Sequence, residues 1–143
     1  MIDAELRDAT RPIWALFTWW GVDDPRTMPL AQVTLEAYDT FRVTTIVENP
    51  KIAGPLLRFL SEVGGLPDNW EGEQKFLSTD GNLRITCWQR RRGLIYMDVS
   101  LDADTEDPVW TVEVRMEIAE SAWPVILRQF HDYFAAVEGE RRA

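Results

Sequence analysis

Between Leu83 and Ile118 apolar and polar residues alternate through three segments, and this period of two limits the possible folds more than any other feature of the chain. Leu83, Ile85 and Cys87 alternate with Arg84, Thr86 and Trp88. Ile95, Met97, Val99 and Leu101 alternate with Leu94, Tyr96, Asp98 and Ser100, and Trp110, Val112, Val114, Met116 and Ile118 with Thr111, Glu113, Arg115 and Glu117. Successive side chains of a strand point to opposite faces, so the pattern predicts an antiparallel meander with one buried face. That face needs a cover. Two stripes at helical spacing can supply it. Ile52, Leu56, Phe59, Leu60 and Val63 form one, opened by Gly54-Pro55 and closed by Gly64-Gly65. Trp123, Ile126, Leu127, Phe130, Phe134 and Val137 form the other, with Ser121 as cap, Pro124 in the first turn and Gly139 at the end.

Upstream, Val33, Leu35 and Ala37 and then Phe41, Val43, Thr45 and Val47 read as a hairpin about an Asp39-Thr40 turn. Ile13, Leu16, Phe17 and Trp20 recur at helical spacing, with Asp3 or Thr10 as cap, Pro12 in a first turn and Gly21 as stop, which predicts an N-terminal helix. Residues 22–29 carry two prolines and read as a loop, and 66–82 is turn-rich with a brief strand at Gln74 to Leu77. No internal repeat is evident. The predicted order is α-β-β-α-(β)-β-β-β-α in a single α+β domain over 1–143. The N-terminal helix and connecting loop occupy 1–28 and the sheet-helix core 30–138. The architecture expected is a two-layer sandwich, a mainly antiparallel sheet of five or six strands with helices packed on one face. A chain of 143 residues exposes roughly 7,500 Å² folded against about 24,000 Å² unfolded, enough for one sizeable core.

Composition narrows the function. The 24 Asp and Glu against 15 Lys and Arg give a net charge of -9. Such a surface repels phosphate backbones, which argues against nucleic acid and for a cationic protein partner. The start Met1-Ile2-Asp3-Ala4-Glu5 has neither the basic nor the apolar stretch of a signal peptide, and the longest apolar run, Ile13 to Trp20, is too short to span a membrane. A lone Cys87 fits a reducing compartment. The expectation is a soluble cytoplasmic protein, read as bacterial.

Candidate chemistry is sparse. His131 is the only histidine and no nucleophile elbow surrounds any serine, so a hydrolase triad is not supported. The expectation for His131 is a half-buried place at the edge of the last helix. Cys87 alternates inward and reads as a core residue. Asp102, Asp104 and Glu106 occupy the first, third and fifth places of a calcium loop with Glu113 at the twelfth, but Asp107 stands where that loop needs Gly and Pro108 follows. The segment reads as a solvated acidic hairpin tip. Arg90-Arg91-Arg92-Gly93 lacks the helix N-terminus that would make it a phosphate site and also reads as a solvated tip. Trp70-Glu71-Gly72 reads as a turn whose tryptophan fills the core. The expectation is therefore no metal, no cofactor and no catalytic turnover.

The outward face of the meander is the most informative surface. With Leu83, Ile85 and Cys87 inward, Arg84, Trp88 and Arg90 must face away, beside Tyr96, Asp98, Glu113 and Arg115 of the neighbouring strands. Trp, Tyr and Arg are the residues enriched at binding hot spots, which makes these seven the candidate partner-binding site. The bland alternative is a cross-strand Trp88–Tyr96 pair, or its cover by 66–82.

From Pro55 to Phe134 the chain resembles an uncharacterised family of small bacterial proteins with no assigned activity. The resemblance is carried by the helix Pro55 to Val63, Trp70-Glu71-Gly72, Phe76, Ser78-Thr79-Asp80-Gly81-Asn82-Leu83, the Gly93 to Leu101 strand and Trp110-Thr111-Val112. It implies a shared fold and transfers no site. Arg92-Gly93-Leu94 stands where that family has a Gly-His type turn, and the region before Pro29 lies outside the resemblance.

Three functions stay open. The first is an immunity-type protein that neutralises a cationic toxin or effector domain by occlusion. The second is a secretion-type chaperone that cradles an extended segment as a dimer. The third is a small-molecule binder or enzyme with a pocket between the sheet and the C-terminal helix. A ligand-free monomer, a tight dimer and a copurified ligand would respectively favour them; monomer or dimer is not decided by sequence.

Overall fold

Five small or apolar side chains decide how the chain begins. Ala4 and Leu6, then Ile13, Ala15 and Phe17, are all buried, and they share one face of a hairpin made by β1 (Ile2–Arg7) and β2 (Ile13–Trp19). The predicted N-terminal helix is therefore two strands. Ile13, Leu16 and Phe17 suit helical spacing, but Trp14 and Leu16 are themselves half-buried on the other face, so apolar residues on both sides of β2 hide its period of two. Pro12 sits in the connecting corner, and its carbonyl accepts from Tyr38 N–H at 2.8 Å.

The computed structural model describes residues 2–19, 30–38, 40–67, 70–78, 81–91, 93–102 and 110–142. After β2 come β3 (Leu30–Ala37), β4 (Phe41–Glu48) and α1 (Asn49–Gly64), then β5 (Gln74–Leu77), β6 (Leu83–Arg91), β7 (Leu94–Asp102), β8 (Thr111–Ala119), one 3-10 turn (Glu120–Ala122) and α2 (Trp123–Arg142). The strands form two antiparallel four-stranded sheets, ordered β1-β2-β3-β4 and β5-β6-β7-β8. This corrects the expected single sheet of five or six strands with helices packed on one face, and the expected α-β-β-α-(β)-β-β-β-α order. The chain is two ββββα units in succession.

Both sheets and both helices contribute to one core. Each helix lies beside the first strand of the other unit: α2 beside β1, and α1 beside β5. Glu5 N–H of β1 donates to Gln129 Oε1 of α2 at 2.9 Å, and the Phe130 ring meets Phe17 edge-on at 5.1 Å. Phe59 of α1 packs on Phe76 of β5 at 5.9 Å. The helices touch through Trp123, whose Nε1–H donates to the Leu60 carbonyl at 2.8 Å. A Cβ at position 64 would lie 2.5 Å from the Trp123 ring, so this approach requires glycine there. Val114, Met116 and Ile118 of β8 are buried and Val112 is half-buried, but Trp110, expected to face α2, is exposed. Trp70 fills the core as expected. Among the described residues no helix is long and apolar enough to cross a membrane.

One carboxylate ties the two sheets together. Asp8, whose side chain is wholly buried, accepts from Thr10 N–H at 3.0 Å, Arg11 N–H at 2.7 Å and the Arg11 guanidinium at 3.0 Å, and from Glu117 N–H of β8 at 2.6 Å. Ala9 N–H donates in turn to the Glu117 carbonyl at 2.8 Å. Burial alone would raise the Asp8 carboxyl, but the Arg11 side chain and the three N–H groups outweigh it and bring it from 3.8 down to about 2.

Two outcomes follow. Phe130→Ala is expected to cost about 3 to 5 kcal/mol in denaturant unfolding, because a fully buried ring in contact with Phe17, Tyr133 and Phe134 is removed; an unchanged midpoint would contradict its place in the core. Since the folded Asp8 value lies below the unfolded one, its stabilisation is present above about pH 4 and is lost as pH falls through about 2. Urea unfolding at stepped pH should show wild type losing about 2 kcal/mol more than Asp8→Asn across that interval. Parallel curves would contradict the assignment.

Candidate functional site

The second sheet places its outward residues in rows. Leu83, Ile85 and Cys87 of β6, Ile95, Met97 and Val99 of β7, and Val114, Met116 and Ile118 of β8 are buried. Arg84, Thr86 and Trp88 consequently turn to the opposite face, and the register sets Arg84 beside Ser100 and Glu113, Thr86 beside Asp98 and Arg115, and Trp88 beside Tyr96 and Glu117. Six of the seven residues singled out from sequence, Arg84, Trp88, Tyr96, Asp98, Glu113 and Arg115, therefore share one face. The side chain of the seventh, Arg90, lies outside the described residues, within a shift of the pairing register between Trp88 and Arg91.

The face is cross-linked by its own charges. Arg84 donates two bonds to Asp102, at 2.9 and 3.0 Å, and Thr111 Oγ1–H donates to the same carboxylate at 2.6 Å. The Thr111 bond, then the Arg84 bond and charge, hold the Asp102 carboxyl below its usual range against the opposing effect of burial. Arg115 makes a second two-bond pair with Asp98, at 2.8 and 3.1 Å, and Asp98 raises the Arg115 pKa. Ser100 Oγ–H donates to Glu113 at 2.9 Å.

Trp88 and Tyr96 stack with ring centres 6.0 Å apart at 18°, and the Arg115 guanidinium lies 4.9 Å from the Trp88 ring centre. Both aromatics are half-buried, and Trp88 also packs against the core, so it is less free-standing than an outward strand position implies. The described part of 66–82 borders this surface. There Glu73 and Lys75, with Thr86, Trp88, Asp98 and Arg115, line an open pocket of about 490 Å³.

Glu73, Lys75, Asp102 and Glu117 belong to this surface and are absent from the sequence-derived set. Glu117 follows from the same alternation as Glu113 and Arg115. Asp102 ends the β7 alternation at the start of the acidic loop, and Glu73 and Lys75 are placed only by the pairing of β5 with β6.

Burial, with the Asp98 charge added, pushes the Cys87 thiol up to about 12, which disfavours the thiolate a nucleophile needs. His131, expected half-buried, is exposed, with Nδ1 3.5 Å from Asp132. Asp102, first place of the supposed calcium loop, is engaged by Arg84 and Thr111, and 103–109 lie outside the described residues. Among the described residues no group of three or more His, Cys, Asp or Glu could hold a metal ion. No family model matches the chain, and no curated protein matches it.

Proposed function

We propose that the chain is a protein-binding module of the immunity type, which captures a cationic toxin or effector domain on the outer face of its second sheet and neutralises it by occlusion. The observation that supports this reading is the aromatic pair within an acidic surface. The described side chains around the Trp88–Tyr96 stack include five carboxylates, Glu73, Asp98, Asp102, Glu113 and Glu117, against three cations, Lys75, Arg84 and Arg115. The two Arg–carboxylate pairs fix much of that surface before a partner arrives, which lowers the ordering cost of binding. The aromatic faces supply large contact area with few rotatable bonds, as binding anchors do. Because Arg84 is held by Asp102, the anchoring role falls to Trp88 and Tyr96, and the rim role to Glu113 and Glu117.

Charge and anchors act on different rate constants. Binding kinetics against candidate basic toxin or effector domains, measured at low and moderate salt, test the reading. Glu113→Gln should mainly slow association, and by less at higher salt. Trp88→Ala should speed dissociation by roughly 30-fold, about 2 kcal/mol, in a protein shown by circular dichroism to be folded. A dissociation rate unchanged by Trp88→Ala would remove this face from the interface.

A further inference from the structure

Where α1 ends, a small, partly enclosed cavity of about 100 Å³ is walled by two indoles and a carboxylate. Trp70, Trp123 and Glu120 line it with Val63, Leu66 and Ile95, and Gly64 at the end of α1 forms its rim. Four of these side chains, Val63, Trp70, Ile95 and Trp123, are buried, whereas Leu66 and Glu120 are half-buried. The Trp123 ring is fixed by its bond to the Leu60 carbonyl at 2.8 Å. Glu120, in the 3-10 turn before α2, is held by its N–H, which donates to the Gly93 carbonyl at 3.0 Å, and by the Gln89 amide, which donates to its carboxylate. At roughly 30 Å³ per water the space equals about three waters. That is room for a head group, well short of a drug-sized ligand.

Charge is the first constraint on what fits. Glu120 is the only ionisable side chain in the lining, and among the described residues it meets no cation. Two helix ends also face the cavity: the C-terminal end of α1 favours a cation, the N-terminal end of α2 opposes one, and the two offset each other. Glu120 therefore sets the sign. Hydrogen-bond donors are the second constraint. A primary ammonium brings three N–H groups, but Glu120 is the only lining side chain that accepts. The Leu60, Ser61, Glu62 and Val63 carbonyls at the end of α1 are already taken, by the Trp123 indole and by the Gly65 and Leu66 N–H groups. A trimethylammonium has no N–H to satisfy. Its methyls suit Val63, Leu66 and Ile95, and its charge suits the indoles, whose ring faces attract cations. We infer that the cavity binds a methylated ammonium group, with Trp70 and Trp123 as its aromatic walls and Glu120 as the opposing charge. This inference does not rest on the Trp88 surface.

The test titrates the full chain with choline chloride and with dimethylbutanol, the uncharged isostere of choline, and follows the tryptophan indole N–H signals by NMR. Choline is expected to shift the Trp70 and Trp123 signals saturably and to bind ~10-fold or more tighter than dimethylbutanol. Glu120→Gln, a change at a half-exposed position, should weaken choline by ~10-fold or more and leave dimethylbutanol unaffected. Trp70→Phe, checked for folding by circular dichroism, should weaken choline less than Glu120→Gln does, because one aromatic wall is made smaller and none is lost. Equal affinity for choline and dimethylbutanol would make the cavity merely apolar and overturn the inference. So would ammonium chloride binding as tightly as choline, shifts confined to Trp88, or no saturable shift at millimolar choline. A blocked tripeptide with trimethyllysine between two alanines reads the source of the group: tighter binding than choline assigns it to a partner protein's lysine, weaker binding to a free small molecule, and either result upholds the site. Trp88→Ala should leave the choline response of Trp70 and Trp123 unchanged, so failure here and failure of the outer-face reading are separable.

Discussion

The Asp8 carboxylate is the joint on which the two halves of the molecule meet. It closes the β1–β2 corner through Thr10 and Arg11 and reaches across to the outer edge of β8 at Glu117. A buried carboxylate without partners would carry a large desolvation cost, but three N–H donors and a guanidinium offset it, so the group stays ionised and specifies a single arrangement. That arrangement brings the inward faces of both sheets into one core under α1 and α2. It also occupies one outward N–H of β8, an edge strand whose free groups are a standing hazard for sheets that end in solvent.

The candidate face depends on this joint at one remove. Glu117 sits opposite Tyr96, and Tyr96 opposite Trp88, so the strand that Asp8 and Ala9 fix carries the row containing the aromatic pair. Its ion pairs are partly exposed, and pairs of that kind contribute little to stability. Their effect is on order: Arg84 and Arg115 are each held in a two-bond fork, so the face has a defined shape and charge pattern. Surface charge of this kind steers encounter, and desolvated aromatic area governs how long a complex persists.

The second unit was legible in the sequence because each of its strands has one apolar face, and the outward set Arg84, Trp88, Tyr96, Asp98, Glu113 and Arg115 followed directly from that alternation. The first unit was not. β2 carries apolar residues on both faces, so Ile13, Leu16 and Phe17 satisfied a helical period as well as a strand one, and the separate sheet β1–β4 went unseen with it. The register shift between Trp88 and Arg91 was not legible, since such an irregularity cannot be counted from spacing. Lys75 joins the surface only through the pairing of β5, and Asp8 finds its partner 109 residues away. Contacts of that range have no signature in local sequence.

Hydrogen exchange at the Glu117 amide tests the joint most directly, because that N–H faces away from β7 and donates to Asp8. In the wild type it should be protected. In Asp8→Ala it should exchange far faster, while the Met116 amide, on the β7-bonded side of the strand, stays slow. Equal protection of Glu117 in both proteins would show that Asp8 does not hold the two sheets together.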